Sequence, residues 1–499
     1  MSINSSSLDL TYPKYMVFCG IVASLNFFCI GWVTSSGNLP GSITHTCENG
    51  IAHIKNPILP DCLPMGDALW GFAVASFCIG ALTGGLSGGY IQTKLGRRKT
   101  IFFNSFGYIA GGILVGCSIS PAMFIVGRIL CGLSCGLGSL AVSVYVGEIS
   151  TVKSRGVMGT INQVMCCAGI ALSCLVGLPL STVPLWRINY AIVALPALLQ
   201  TLLVPVCVES PRYLVSVNKL IEAKASLQKL RFKSNIDMEF YAMVKGQLGS
   251  SAALETIENF DTTTTTPAEL DYFQMDSRNT KNEEPKTPMS IIQIFSDPII
   301  RKIALIIILI HCLQQLIGIN AVMYYSTSMF AVIFDSEMSK YMAIVCSAVN
   351  FLLTVVSIFL IDRTGRRSLL LLSQAGACIF SILLTVGYVF NSSGLMVVSI
   401  LGYVALFAVG MGPIPWVLIS ELSPVYASSS VGSTAAAINW AMNFLIGQCF
   451  PTIFAKIKGY SFLIFAFIAM ASLLFTYFKI PETKGRSIED IEAEFKASL

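Results

Sequence analysis

Charge is what this sequence has least of. Asp, Glu, Lys and Arg make up 12% of its 499 residues, against 54% hydrophobic residues, where a soluble chain carries about 25% charged residues. That balance excludes an ordinary soluble domain. Histidine occurs three times, and neither a CxxC pair nor a His-rich cluster is present, so no metal site is expected. No nucleophile–base set is visible either, which argues against an enzyme, and no cofactor is implied. The net charge of +5 carries no nucleic-acid message. Gly132-Leu-Ser-Cys-Gly-Leu-Gly138 has no strand before it and falls inside an apolar run, so its glycines read as packing positions rather than a phosphate loop. Nearly all 16 cysteines lie inside such runs, as Cys166-Cys167 does, and read as small packing residues. Cys47 and Cys62 differ, since both fall in an outer loop where an oxidising compartment would permit a disulfide.

What is present is a series of apolar runs of about 20 residues, each long enough to cross a bilayer core. Twelve are expected, near 15–36, 67–91, 99–119, 122–147, 156–180 and 186–207, then 301–330, 339–362, 367–390, 394–420, 429–455 and 460–480. All should be helical, because a helix satisfies its own backbone in lipid. The expected fold is an all-α membrane protein, with twelve transmembrane helices in two pseudo-symmetric six-helix bundles plus short cytosolic helices. Residues 1–207 would form the first bundle, 208–300 a cytosolic linker, 301–480 the second bundle and 481–499 a cytosolic tail. Within the linker, 211–232 is helical by pattern. The stretch 234–287, with Thr262 to Thr266, reads as mostly disordered because it cannot bury enough apolar surface.

The two bundles repeat each other in sequence. Lys94-Leu-Gly-Arg-Arg-Lys-Thr100 recurs as Arg363-Thr-Gly-Arg-Arg-Ser-Leu369, with Gly96 and Gly365 269 residues apart. Glu148 recurs as Glu421 and Glu209 as Glu482, both at a spacing of 273. The basic residues cluster on alternate connections, which places these loops and both termini in the cytosol. The opposite face holds Asn391-Ser-Ser393, a glycosylation acceptor pattern.

Polar side chains inside lipid-spanning helices need partners or a cavity. Here they are amides and aromatics, with no carboxylate: Asn162-Gln163 in run 5, Gln314-Gln315, Asn320 and Tyr324-Tyr325 in run 7, Asn350 in run 8, Trp416 in run 10, and Asn439-Trp440 with Asn443 in run 11. An amide both donates and accepts, so it can bridge adjacent hydroxyls. An aromatic face covers the apolar side of a sugar ring. The set therefore suits a neutral polyhydroxylated ligand.

These residues sit in Gln314-Gln-Leu-Ile-Gly-Ile-Asn-Ala-Val-Met-Tyr-Tyr-Ser-Thr-Ser328, Gly412-Pro-Ile-Pro-Trp416, Tyr145-Val-Gly-Glu148, Glu209-Ser-Pro-Arg212 and Pro481-Glu-Thr-Lys-Gly-Arg486. Through these passages the chain resembles, over residues 15–490, the facilitative glucose transporters among the sugar porters of the major facilitator superfamily. The resemblance implies uniport of a hexose, D-glucose foremost, by alternating access. It implies sugar contacts at Gln163, Gln314, Gln315, Asn320, Asn350, Trp416, Asn439 and Asn443, and an outer gate at Tyr324 and Tyr325. It also implies a cytosolic latch of Arg97, Arg98, Glu148, Arg155, Glu209 and Arg212, with Arg366, Arg367, Glu421 and Glu482 in the second half. A monomer in the plasma membrane, in contact with lipid, is expected.

Departures from the family pattern matter. Proton-coupled porters carry an aspartate in the first helix where this chain has Val33 in Gly31-Trp-Val-Thr34, which leaves Arg128 without that partner. Uniport is favoured, with a proton-coupled symporter or a non-transporting sugar sensor as alternatives. His311-Cys-Leu313 and Ala408 depart from glucose-selective members and leave the hexose open. Ser428 replaces an arginine, so a weaker second-half latch is expected.

Overall fold

The twelve expected runs become twelve membrane-crossing segments in the computed structural model, which describes residues 12–47, 58–151, 154–231, 236–248, 289–484, 486 and 494–495. Spans 1 to 6 are Lys14–Ser35, Asp67–Leu95, Arg97–Gly116, Pro121–Ile149, Arg155–Leu180 and Trp186–Val206. Span 7, Pro298–Phe330, breaks at Gly318, where φ is +102°. Spans 8 and 9 are Ser336–Thr364 and Arg366–Val389. Span 10 runs as Ser393–Val409 and Ile414–Leu422, parted at Gly410 to Pro413, and spans 11 and 12 are Val425–Ile457 and Ser461–Lys479. Span 3 opens on Arg97-Arg98-Lys99 and is the least apolar of the first six, so length and hydropathy alone do not pick it out.

Glycines set how closely the helices approach. A Cβ on Gly80 of span 2 would lie 2.1 Å from the Ile129 carbonyl oxygen, and one on Gly132 of span 4 would lie 1.9 Å from that of Phe77. Only glycine permits this contact between spans 2 and 4. The two bundles meet along two seams. Span 2 packs on span 11, and span 5 on span 8, where Cys167 Sγ lies 3.4 Å from Thr354 Oγ1 and Cys174 Sγ 3.4 Å from Ser347 Oγ.

Buried polar knots recur at equivalent places in the halves. Ser105 of span 3 donates to Gln200 Oε1 of span 6 at 3.0 Å. Gln374 of span 9 donates to Ser472 and Thr476 of span 12, both at 2.8 Å. An amide bonded across two helices of an apolar bundle fixes which helices pair.

The linker between the bundles is more ordered at its start than its composition suggested. Beyond the helix Leu220–Arg231, residues Asp237–Leu248 form another, inside the stretch expected to be disordered. Its Phe240, Tyr241 and Val244 bury against Leu214, Val215 and Leu227, so a small local core supplies the apolar burial. Arg231 docks this unit on the first bundle, donating to Ile149 O at 2.8 Å and pairing with Glu239 at 2.7 Å. Most of the remaining 234–287 stretch, Thr262 to Thr266 included, lies outside the described residues.

At the end of the bundles opposite the Gly-Arg-Arg segments, Cys47 and Cys62 are joined by a disulfide, with 5.8 Å between their Cα atoms. Arg187 holds the same loop by donating to Pro60 O at 2.7 Å and Ser118 O at 2.6 Å. His45 stacks on Trp70 with 4.5 Å between ring centroids. Burial pushes the His45 imidazole below its ordinary value of 6.5, outweighing Gly41 O and Asp67. The docked loop therefore refuses a proton that the undocked loop would take. Docking is fully stable above about pH 6.5 and weakens as pH falls below it. Limited proteolysis of this loop should speed up between pH 7.5 and 5.5 in the native chain but not in His45→Gln.

Candidate functional site

A cavity lies between the two bundles, enclosing about 740 Å³ of atom-free space with its opening included. All eight residues expected to contact ligand line it: Gln163, Gln314, Gln315, Asn320, Asn350, Trp416, Asn439 and Asn443. The first bundle adds Phe27, Ile30, Thr34, Ser139, Cys166 and Ile170, so both halves form the wall. No charged side chain is among the described lining residues.

Most of the amides satisfy one another. Asn320 Nδ2 donates to Gln315 Oε1 at 2.5 Å, and Gln315 Nε2 to Asn439 Oδ1 at 3.1 Å. Asn439 Nδ2 donates to Gln314 Oε1 at 2.8 Å, and Gln314 Nε2 to the carbonyls of Met411 and Gly412 at 2.6 and 3.0 Å. The chain of bonds ends on the break in span 10, whose freed carbonyls it occupies. Two amides differ. Gln163 Nε2 reaches Cys167 Sγ, at 3.6 Å, and Asn350 Nδ2 reaches Met323 Sδ, at 3.8 Å. Sulfur is a weak acceptor, so these two, one from each bundle, hold the most unspent hydrogen-bonding capacity.

Trp440, which the sequence expectation left out of the site, lines the cavity with its indole N–H unpartnered. Its place between Asn439 and Asn443 was the only available signal. His311 does not enter the cavity. It is fully buried, T-shaped against Trp416 at 5.0 Å between centroids, and its Nδ1 sits 2.9 Å from Ile307 O.

Outside the cavity the gate tyrosines are buried rather than lining. Tyr324 OH donates to Asn443 Oδ1 at 2.5 Å and Tyr325 OH to Gly447 O at 2.9 Å. Tyr325 leaves helical geometry, with φ −129° and ψ 17°. Asn38, which no local pattern singles out, clasps the two halves on this side. Its Nδ2 donates to Ser326 Oγ at 2.7 Å, and its Oδ1 accepts from Thr327 N at 3.2 Å and Thr327 Oγ1 at 3.1 Å. Arg128 is buried as well, donating to Val33 O at 2.6 Å and Val74 O at 2.7 Å. In Asn38→Ala these three clasp bonds disappear, at roughly 1 kcal/mol each. Spin-label distances across the outer ends of spans 1 and 7 should then shift at least about fivefold toward the open population.

At the Gly-Arg-Arg ends of the bundles the repeats make closely similar bonds. Arg97 Nη2 pairs with Glu148 at 2.9 Å, and Arg366 Nη2 with Glu421 at 3.0 Å. Glu209 accepts the backbone N–H groups of Arg97 and Arg98, both at 3.0 Å, and Glu482 those of Arg366 and Arg367, at 2.8 and 3.1 Å. Each glutamate thus caps the start of a span, where the helix dipole favours an anion. Ser210 bonds Glu148 in one half and Thr483 bonds Glu421 in the other. These ion pairs lie within a half, not across the boundary. Arg155 and Arg212 form no ion pair among the described residues, although Arg155 is within electrostatic reach of Glu421 in the other bundle. The weaker second-half latch expected from Ser428 is not what the ion pairs show: Arg366 gives Glu421 both Nε and Nη2, at 3.1 and 3.0 Å, whereas Arg97 gives Glu148 only Nη2 and its buried Nε has no partner among the described residues.

Comparison with known proteins places this geometry. The sequence profile of the family described as "Sugar (and other) transporter" matches residues 18–255 and 241–495. Solute carrier family 2, facilitated glucose transporter member 4 of Bos taurus is 34% identical over 496 residues, covering 96% of this chain and 90% of its own. Member 2 from Rattus norvegicus is 34% identical over 441 residues, covering 86% and 78%. Among solved structures, the major facilitator superfamily proton:xylose symporter XylE bound to 6-bromo-6-deoxy-D-glucose superposes with a TM-score of 0.74 at 23% identity, covering 97% of this chain and all of that one. The inward open xylose transporter XylE from E. coli gives 0.68 at 24% identity, covering 96% and 100%. The fold is that of the major facilitator superfamily, and the chain belongs to the sugar (and other) transporter family.

Proposed function

We propose that this chain carries a hexose, D-glucose foremost, down its gradient by alternating access. The observation that carries this reading is the cavity itself, lined by amides from both repeats and two tryptophans, without a charged side chain. Gln163 and Asn350 would take sugar hydroxyls from opposite sides, while the Gln314–Gln315–Asn439 network orients the second half's contribution. Trp416 and Trp440 would cover the apolar face of the ring. A site between two repeats is also where such carriers bind substrate.

Gating follows from the broken helices. The part of span 7 beyond Gly318 carries Tyr324 and Tyr325 over the cavity and would swing outward to admit sugar. The capping glutamates would keep each half's cytosolic ends rigid during that motion. A proton-coupled cycle is the less favoured reading, since Val33 is apolar and Arg128 spends donors on backbone carbonyls rather than on an acid. A sensor without flux is the other. The proposal extends to a monomer among lipids of the plasma membrane, with cytosolic termini and a glycan on Asn391, which lies exposed in the outer turn between spans 9 and 10.

The test is uptake by a hexose-transport-deficient cell expressing this chain, with competing sugars. Saturable D-glucose uptake is expected, inhibited by other hexoses in proportion to their fit. Sugar binding without uptake would contradict transport and favour the sensor.

A further inference from the structure

Behind the cavity wall a line of polar side chains crosses from one bundle to the other. On span 5, Gln163 is followed four residues later by Cys167, and on span 8 Asn350 is followed four residues later by Thr354. That spacing stacks each pair on one helix face. The two amides line the cavity, whereas Cys167 and Thr354 lie behind them, both fully buried.

The donor in each bond follows from the hydrogens available. Thr354 spends its one hydroxyl hydrogen on Asn350 O, at 2.7 Å. At the 3.4 Å contact between Cys167 Sγ and Thr354 Oγ1 the thiol is therefore the donor. The same sulfur accepts from Gln163 Nε2 at 3.6 Å, and the Asn350 amide is also within its reach. The bonds thus run one way, from Gln163 through Cys167 and Thr354 to the Asn350 backbone, and they cross the seam between spans 5 and 8 at the thiol. With one N–H of Gln163 pinned, its other N–H and its carbonyl oxygen are left for the cavity, a donor and an acceptor side by side. An apolar side chain in place of Cys167 would fill the same space but leave that amide free to turn.

We propose that Cys167 is a positioning residue for sugar binding, its thiol relaying a hydrogen bond across the seam and so fixing the Gln163 amide that meets the sugar. This rests on the sugar contact given to Gln163 above. Uptake of D-glucose at matched surface expression separates KM from maximal rate. Cys167→Ala and the larger Cys167→Val both remove the relay and should raise KM about three- to tenfold, with the maximal rate within about twofold of native. Cys167→Ser keeps a donor and an acceptor at that point and should hold KM within about twofold of native. A packing role would instead make serine resemble alanine. Thr354→Val should match Cys167→Ala, and the double variant should be no worse than either alone. Cys174→Ala removes the other seam thiol, which meets Ser35 and Ser347 rather than a cavity amide, and should leave KM unchanged. Serine as impaired as alanine, an unchanged KM in Cys167→Ala, or an equal rise in Cys174→Ala would overturn the proposal. The relay is also read without sugar. The S–H stretch of Cys167, isolated as the infrared difference between native and Cys167→Ala protein, should lie below the free-thiol frequency. It should rise when the same difference is taken in a Thr354→Val background. A band at the free-thiol frequency in the native chain would overturn the relay. A hydrogen-bonded band in a chain that takes up no hexose would contradict the transport reading and leave the relay standing.

Discussion

Gln314→Ala should lower hexose uptake by roughly 10- to 100-fold at unchanged surface expression. Gln314 is 3% exposed and makes three bonds, to Met411 O, Gly412 O and Asn439 Nδ2. Alanine leaves those partners buried without a bond, at about 1–3 kcal/mol for each group that water cannot reach, and 1.4 kcal/mol is a factor of ten in rate. The two carbonyls belong to the break in span 10, so the variant loosens the wall that carries Trp416 as well as removing an amide. Asn439→Ala removes part of the same network. The double variant should therefore cost clearly less than the two single effects combined, as residues sharing one network do. Radiolabelled uptake in matched cells checks both statements.

The second large effect concerns the glutamate caps on spans 3 and 9. Gly96 has φ +85° and ψ 166°, and Gly365 φ +94° and ψ 157°, a region that side-chain-bearing residues enter at a cost of about 1–3 kcal/mol. A Cβ would also lie 2.6 Å from Glu209 Oε2 in the first half and 2.6 Å from Glu482 Oε2 in the second. Alanine at either position must push away the carboxylate that receives two arginine N–H groups. Gly96→Ala and Gly365→Ala should each lose about 3 kcal/mol, read as a drop of roughly 3 °C in the thermal midpoint of the purified protein. Matched drops are expected because the two caps have the same bonds. A drop at Gly96 alone would show that the repeat is structural in one half only.

Much of the architecture was legible because membrane helices announce themselves. Apolar length fixed the spans to within a few residues, and the doubled Gly-Arg-Arg segment revealed the two halves. The cavity was legible for a related reason: an amide within an apolar run has no cheap alternative to a partner or a cavity, so all eight expected residues converge. What stayed hidden depends on contacts distant in sequence. Asn38 is an ordinary loop residue until Ser326 and Thr327, almost 290 positions later, arrive beside it. The helix Asp237–Leu248 was masked by its polar neighbours, although Phe240, Tyr241 and Val244 are enough for a local core. The latch was read as side-chain pairs, whereas Glu209 and Glu482 spend their oxygens on backbone N–H groups, a role that charge pattern alone does not reveal.

The central claim is carrier transport without proton coupling. It is tested most directly by counterflow of labelled D-glucose in proteoliposomes across pH 5.5–8, with and without an imposed proton gradient. The account predicts counterflow at a rate that hardly changes with pH, and no accumulation above the equilibrium level when the gradient is applied. Uphill accumulation driven by the proton gradient would contradict it.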